Sequence, residues 1–187
     1  MAARSTDFLF PCYREIGALL FRGFPLQRYL DNMFGNADDV VQGRQMPDHY
    51  TGRAFAYASV SSVIGTQITH AVGYAWAAKL RRKDAASLVW FGDGGTSSSD
   101  FHAGANIAAV HKVPTVFLCR HNGWAISTPA SKQTAVERLV DKAEGYGMRG
   151  VRVDGNDLLA VVSVVREALE RGRAGEGPTF IELLTYR

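Results

Sequence analysis

Two short apolar runs separated by one helical segment limit the fold of this chain more than anything else in it. Ser87-Leu88-Val89-Trp90-Phe91 and Pro114-Thr115-Val116-Phe117-Leu118-Cys119 are bounded by turn formers, as buried strands are. Between them, about Asp100 to His111 carries helical spacing. Gly92-Asp93-Gly94 follows the first run, and Asn122-Gly123-Trp124 follows the second. Strand, Gly-rich turn, helix, strand and polar turn predict a parallel pair with a crossover helix. In an open parallel sheet both turns then leave the carboxyl ends of their strands at one edge, where ligands bind.

Residue types suggest the chemistry of that edge. Asp93 is a hard anionic oxygen ligand held between two glycines that let the backbone come close to a bound group. Asn122 adds a neutral amide oxygen. Together they suit Mg²⁺, which takes one or two side-chain oxygens and completes its shell with water, carbonyl and phosphate oxygens. A diphosphate at the N-terminus of the Asp100 helix would meet free N–H groups and the positive end of the dipole. A lone Gly-Asp-Gly is more often a plain surface turn; the pairing with Asn122 across a strand–helix–strand unit turns the reading toward a Mg²⁺-diphosphate site.

The remaining segments extend the alternation. Asp7 to Pro11 reads as a loop, followed by a helix near Tyr13 with Ile16, Leu19, Leu20 and Phe24 at helical spacing. Pro25 opens a second helix with Leu26, Tyr29, Leu30 and Met33 on one face. Ser61 or Ser62 is placed to cap a third, whose face is Ile68, Ala71, Val72, Ala75 and Trp76. A helix is predicted over Thr134 to Tyr146, ended by Gly147, then a strand over Met148 to Val153. Asp157 caps a helix over Leu158 to Arg171 with a stripe of Leu159, Val162, Val165 and Leu169, and Phe180 to Tyr186 is the last strand. The expected fold is α/β, a parallel sheet flanked by helices in a single domain over residues 1–187.

Composition narrows the function classes. With 47% hydrophobic residues the chain can bury a sizeable core. A net charge of +3 and no basic block longer than Arg81-Arg82-Lys83 do not give the clustered face of a nucleic-acid binder. No apolar run approaches the length needed to span a bilayer, and the first residues lack an apolar signal segment. Cys12 and Cys119 have no metal-like spacing and suggest a reducing compartment, with the cytoplasm as the plain reading. No repeats or low-complexity tracts occur.

Gly92-Asp93-Gly94, followed by Asn122 just under thirty residues on, resembles the thiamine-diphosphate motif. Phe91-Gly-Asp-Gly-Gly-Thr-Ser, Asp100-Phe-His-Ala-Gly-Ala-Asn and Cys119-Arg-His-Asn-Gly-Trp-Ala-Ile-Ser-Thr-Pro resemble one branch of it. That branch is the α subunit of the decarboxylating component of 2-oxo acid dehydrogenase complexes, and the likeness covers nearly the whole chain. Gly43-Arg44-Gln45-Met46-Pro47-Asp48-His49-Tyr50 is similar to a segment typical of the branched-chain 2-oxo acid enzymes. His49 is expected near a subunit interface or the active-site entrance, or as a solvated loop histidine.

The resemblance implies residue roles. Mg²⁺ would be held by Asp93, Asn122 and the backbone carbonyl of Trp124. Thiamine diphosphate would be contacted by Tyr13, Arg14, Ser62, Ile64, Gly92, Asp93, Gly94, Gly95, Arg120, Asn122 and Ile126, with Ile64 wedging it into a bent shape. Oxygens of Ser61, Val63, Thr66 and Gln67 match a K⁺ site of some relatives, although Val63 stands where proline is frequent. Ser98-Ser99 replaces the family's Glu-Gly, which leaves Asp93 and Asn122 untouched. Three histidines draw no catalytic role: His102 reads as an interface or capping residue, and His111 and His121 as structural.

No glutamate reads as poised to activate the cofactor. Glu15, Glu137, Glu144, Glu167 and Glu170 read as helix residues with polar neighbours, and Glu182 as alternating outward on its strand. In the family that carboxylate comes from a β subunit, in an α2β2 heterotetramer that serves a lipoyl-bearing acyltransferase core. A catalytic histidine lies in a loop beyond the Tyr-Arg at which this chain stops. The chain is therefore expected to be truncated at both ends relative to the family, to bind half a site, and to be inactive alone. The substrate expected is a branched-chain 2-oxo acid, with pyruvate or acetoin, or a non-catalytic cofactor-binding or assembly module, as alternatives. Nucleic acid and membrane partners are not expected.

Overall fold

A computed structural model describes residues 2–187. In chain order they form β1 (Phe8–Phe10), α1 (Ile16–Phe21), α2 (Leu26–Phe34), α3 (Thr66–Leu80), β2 (Ser87–Gly92), α4 (Ser99–Val110) and β3 (Thr115–His121). Two-residue strands β4 (Trp124–Ala125) and β5 (Thr128–Pro129) follow, then α5 (Lys142–Gly145), β6 (Arg149–Asp154), α6 (Leu158–Arg173) and β7 (Thr179–Leu184). Among the described residues five strands make one parallel sheet in the order β1-β2-β3-β7-β6, and β4 and β5 make a small antiparallel ribbon. This is the expected parallel sheet flanked by helices.

Strand alternation divides the core into two layers. Val89 and Phe91 of β2, Phe117 and Cys119 of β3, and Phe180 of β7 face α3, α4 and α5, meeting Ile68, Val72, Phe101 and Ala105. Leu88, Val116, Leu118, Ile181 and Leu183 face the other way, against Leu19 of α1 and Val165, Ala168 and Leu169 of α6. Both faces are covered, which is why these strands read as continuous apolar runs. Among the described residues no helix is long and apolar enough to cross a membrane.

Several expectations change. Phe8–Phe10, read as loop, is an edge strand registered on Ser87 to Val89; three residues are too few for a period to be read. Neither Ser61 nor Ser62 caps α3; Gly65, at φ +103°, precedes it without a side-chain cap. The helix expected over Thr134 to Tyr146 shrinks to a 3-10 turn at Leu139–Asp141 and the short α5. There the N–H of Val140 donates to the Glu182 carboxylate at 3.0 Å and is lost to any longer helix. Leu159 and Leu26 point to solvent. The inward residues of α2 are Asp31 and Asn32, tied by side-chain amides to the Asn36–Asp39 loop.

Glu182 does not alternate outward. It is fully buried, because on a strand covered on both sides each residue faces a packed layer.

Candidate functional site

Register places the two turns. Gly92 pairs with Arg120 across β2 and β3, so Asp93 and His121-Asn122 leave neighbouring strands at the same level. A Cβ on Gly94 would stand 2.6 Å from the Cβ of Ala125, so the first turn lies directly against the ribbon that follows the second. A Cβ on Gly65 would stand 2.5 Å from Ser98 Oγ, which brings the Ser61–Gln67 turn to the start of α4. Tyr13 and Arg14 follow the carboxyl end of β1 on the same edge, exposed, with the guanidinium 5.3 Å from the Tyr13 ring centre. Four loops therefore meet at one edge of the sheet.

Local hydrogen bonds shape the metal-ligand candidates. Asp93 is 3% exposed, and its Oδ2 accepts from Gln133 Nε2 at 3.2 Å. Its carbonyl accepts from the Thr96 hydroxyl at 2.8 Å, and that hydroxyl accepts from Lys142 Nζ at 3.0 Å. Asn122 Oδ1 accepts from the Trp124 N–H at 3.0 Å around Gly123 at φ +84°, an Asx-turn that fixes the orientation of the Trp124 peptide. The helix behind them, expected from about Asp100, starts at Ser99, and Ser98, which replaces a family residue, caps it by accepting from the Phe101 N–H at 3.2 Å. Ile126 is exposed, and its carbonyl accepts from Arg187 at 2.6 Å.

Arg120, expected at the diphosphate, is held by Glu15. Its Nη1 lies 2.7 Å from Glu15 Oε1, yet neither that oxygen nor the buried Arg120 Nε makes a hydrogen bond among the described residues. The contact is thus an ion pair with poor alignment, and it keeps a donor in reserve. Glu15 Oε2 accepts from the N–H groups of Cys12 and Tyr13 at 2.8 and 3.1 Å. Burial pushes the Glu15 carboxyl above its ordinary pKa, against the downward pull of Arg120 and these amides. Sequence reasoning set Glu15 aside as a helix residue; it stands at the N-cap of α1, and its side chain turns back to the loop before the helix.

The second group of candidates is less converged. Ser62, Val63 and Ile64 are exposed. Ser62 Oγ bonds His49 Nε2 at 2.5 Å, drawing the Gly43–Tyr50 loop to this turn. Internal bonds already use several oxygens of the K⁺ set: Ser61 Oγ accepts from the Val63 N–H, the Val63 carbonyl from Thr66, and the Thr66 carbonyl from Thr69. Gln67 is buried and donates to the Trp90 carbonyl at 2.9 Å.

Gln133 and Lys142 went unnoticed, since each is about forty residues from the turn it touches and no spacing links them to it. Of the three histidines set aside, His102 bonds the Tyr146 hydroxyl, His111 stacks on Trp76, and His121 bonds Glu182.

The donor set fits a hard ion and a diphosphate. Among the described residues no cluster of three or more His, Cys, Asp or Glu side chains could hold a metal, which leaves one carboxylate, one amide oxygen and backbone carbonyls, a set suited to Mg²⁺. Gly92 has no atom closer than 3.9 Å to where a Cβ would stand, and Arg120 Nε supplies a buried donor.

Both thiols are buried. Burial and the neighbouring Glu15 raise Cys12 to about 11, and burial pushes Cys119 well above the usual thiol range. Neither is expected to react with a water-soluble aromatic disulfide at neutral pH until the protein unfolds; labelling of the folded protein at the rate of the unfolded chain would contradict this burial.

Comparison with known proteins adds to the geometry. A family model described as the dehydrogenase E1 component matches residues 1–187. The chain is 51% identical over 181 residues to the mitochondrial 2-oxoisovalerate dehydrogenase subunit alpha 2 of Arabidopsis thaliana, covering 97% of this chain and 38% of that protein. It is 46% identical to the 2-oxoisovalerate dehydrogenase subunit alpha of Bacillus subtilis (strain 168), covering 98% of this chain and 56% of the relative. These relatives are therefore much longer than the chain. Among solved structures it is similar to a putative thiamin diphosphate-dependent enzyme from Mycobacterium smegmatis (TM-score 0.64, 20% identity, 99% of this chain and 29% of that one). It is also similar to a transketolase from Pichia stipitis (TM-score 0.67, 18% identity, 96% and 28%). At these identities the two structures speak for the fold alone.

Proposed function

The chain belongs to the dehydrogenase E1 component family, and from that premise we propose that it is the α-subunit portion of a branched-chain 2-oxo acid dehydrogenase. In this reading it binds thiamine diphosphate and Mg²⁺, pairs with a β subunit in an α2β2 assembly, and passes acyl groups to a lipoyl-bearing acyltransferase core. The observation that carries the reading is the meeting of Asp93, Asn122 and Arg120 at the carboxyl edge of paired strands β2 and β3. The names of the relatives favour a branched-chain substrate.

When bound, thiamine diphosphate supplies the electron sink for decarboxylation of the 2-oxo acid. The chain's own residues bind and orient. Asp93, the Asn122 amide oxygen and the Trp124 carbonyl would hold Mg²⁺, the first through charge and the others through dipoles. Arg120 would turn its guanidinium donors to phosphate oxygens, with Glu15 fixing its position. Tyr13 and Arg14, exposed beside them, would close over the diphosphate. Ile64 and Ser62, exposed on the adjoining turn, would meet the aminopyrimidine. Ser61, Val63, Thr66 and Gln67 would take K⁺ by exchanging their internal bonds for the ion.

Glu15 is committed to Arg120 and Glu182 to His121, so a carboxylate for the aminopyrimidine is assigned to the β subunit. Exposed Phe21 and Leu158 border an apolar groove of about 470 Å³ between α1 and α6, in keeping with a chain that works in an assembly.

The test uses the chain within its complete protein, co-purified with the β subunit, in Mg²⁺ and thiamine diphosphate. Reduction of an artificial electron acceptor is followed with 3-methyl-2-oxobutanoate, pyruvate and acetoin. Cofactor-dependent turnover favouring the branched acid supports the reading. Turnover favouring pyruvate or acetoin overturns the substrate, and none with any of the three, from an intact assembly, favours a non-catalytic module.

A further inference from the structure

Glu182 is a fully buried carboxylate for which the proposed chemistry has no use. It stands on the interior strand β7, opposite Cys119 of β3 and Arg152 of β6. Oε1 lies 2.7 Å from His121 Nδ1. Oε2 accepts from the Val140 N–H at 3.0 Å and lies 3.5 Å from Arg152 Nε. A carboxylate this deep is costly unless both oxygens are partnered, and here they are, by three separate elements.

Two of those contacts lead to the candidate metal ligands by different routes. His121 is the residue before Asn122, and its carbonyl accepts from the N–H of Thr185, just past the end of β7, at 2.9 Å. With ring and backbone both fixed, the strand end from which Asn122 departs has little freedom. The second route runs through Val140, two residues before Lys142. Lys142 Nζ donates to Thr96 Oγ1, which donates to the Asp93 carbonyl. One carboxylate thus anchors both the strand end that presents the amide ligand and the segment that braces the turn presenting the charged ligand.

We propose that Glu182 is a positioning residue that sets the spacing between Asp93 and Asn122, so that the two turns close on one hard cation. The proposal rests on the Mg²⁺ reading above. It gives a function to the short, broken α5 region: the backbone leaves the helix at Val140 in order to bond Glu182. His121, read from sequence as structural, is one of the two links.

Glu182→Gln tests this with side-chain volume kept. Its terminus keeps one acceptor oxygen for the Val140 N–H but replaces the other with an N–H group that suits His121 Nδ1 only when that nitrogen is unprotonated, and it removes the negative charge that faces His121 and Arg152. The measurement is the dissociation constant of Mn²⁺, a paramagnetic stand-in for Mg²⁺, titrated with thiamine diphosphate into the metal-stripped complete protein with its β subunit. It is made at a temperature where melting curves show the variant folded.

Groups that orient metal ligands typically contribute about 10–100-fold to metal affinity, and a loss in that range is expected for Glu182→Gln. Affinity within about two-fold of the unaltered protein, well short of that range, while Asp93→Ala loses binding, would overturn the positioning role and leave the metal site standing. Unchanged binding in Asp93→Ala would overturn both. Should Glu182→Gln fail to assemble, His121→Phe and Lys142→Met cut the two routes one at a time with the buried carboxylate in place; weakened Mn²⁺ binding in either supports the proposal and unchanged binding in both overturns it.

Discussion

Asp93→Ala is expected to weaken Mg²⁺-dependent binding of thiamine diphosphate by more than about 100-fold. Loss of groups that merely orient metal ligands costs about 10–100-fold, and Asp93 is the one carboxylate in the proposed donor set, so its loss should exceed that range. The fold should tolerate the change. It is the Asp93 carbonyl that Thr96 holds, and among the described residues the side chain accepts a hydrogen bond from Gln133 alone. Calorimetric titration of the cofactor with and without Mg²⁺, alongside a thermal melt, separates the two effects. Asp93→Asn keeps size and an oxygen but not charge, and should fall between. Equal cofactor binding by the unaltered protein and Asp93→Ala would mean that the ion is held elsewhere.

Phe101→Ala should produce the largest loss of stability among single changes near the site, about 3–5 kcal/mol. The ring is fully buried, 5.7 Å from Phe91, 5.9 Å from Phe180 and 6.0 Å from Tyr146, with an edge-on approach to the last two. Removing it opens a cavity among rings held by strands β2 and β7, which cannot collapse to fill it. The cap of α4 survives, because the Phe101 backbone, not its ring, bonds Ser98. Urea unfolding should show a lower midpoint at unchanged slope. A loss below about 1 kcal/mol would be far under the range for a buried phenylalanine and would show that this layer is loosely packed.

The sequence revealed most where one physical signal dominated. Residues 87–122 could be read in detail because apolar runs and glycines act locally. Ile68, Ala71, Val72 and Ala75 followed from helical period alone, and all four are buried. What escaped depends on partners distant in the chain. Whether Leu159 or Val161 of α6 turns inward depends on where the sheet lies, and Leu159 is exposed. Glu182 looked solvent-facing because alternation identifies two faces without saying that both are covered. The shortening of the helix after Thr134 depends on a hydrogen bond 42 residues away. Glu15 needed Arg120, which local polarity could not supply.

The order of strands also implies a sequence of events in folding. Ser87 on β2 bonds Thr115 on β3 across 28 residues, whereas the Ala86 N–H reaches Asp7, beside β1, across 79. Closing the longer loop costs about 0.9 kcal/mol more than closing the shorter one, before any bending of the helices between is counted. Loop entropy therefore favours pairing of the parallel β2–α4–β3 unit, which carries Asp93 and Asn122, ahead of β1. The Cys12–Glu15 arm is placed when β1 pairs with β2, the strand that supplies its edge. Arg120 gains Glu15 only with that step, so Asp93 and Asn122 can come to one edge before the neighbouring guanidinium has its carboxylate.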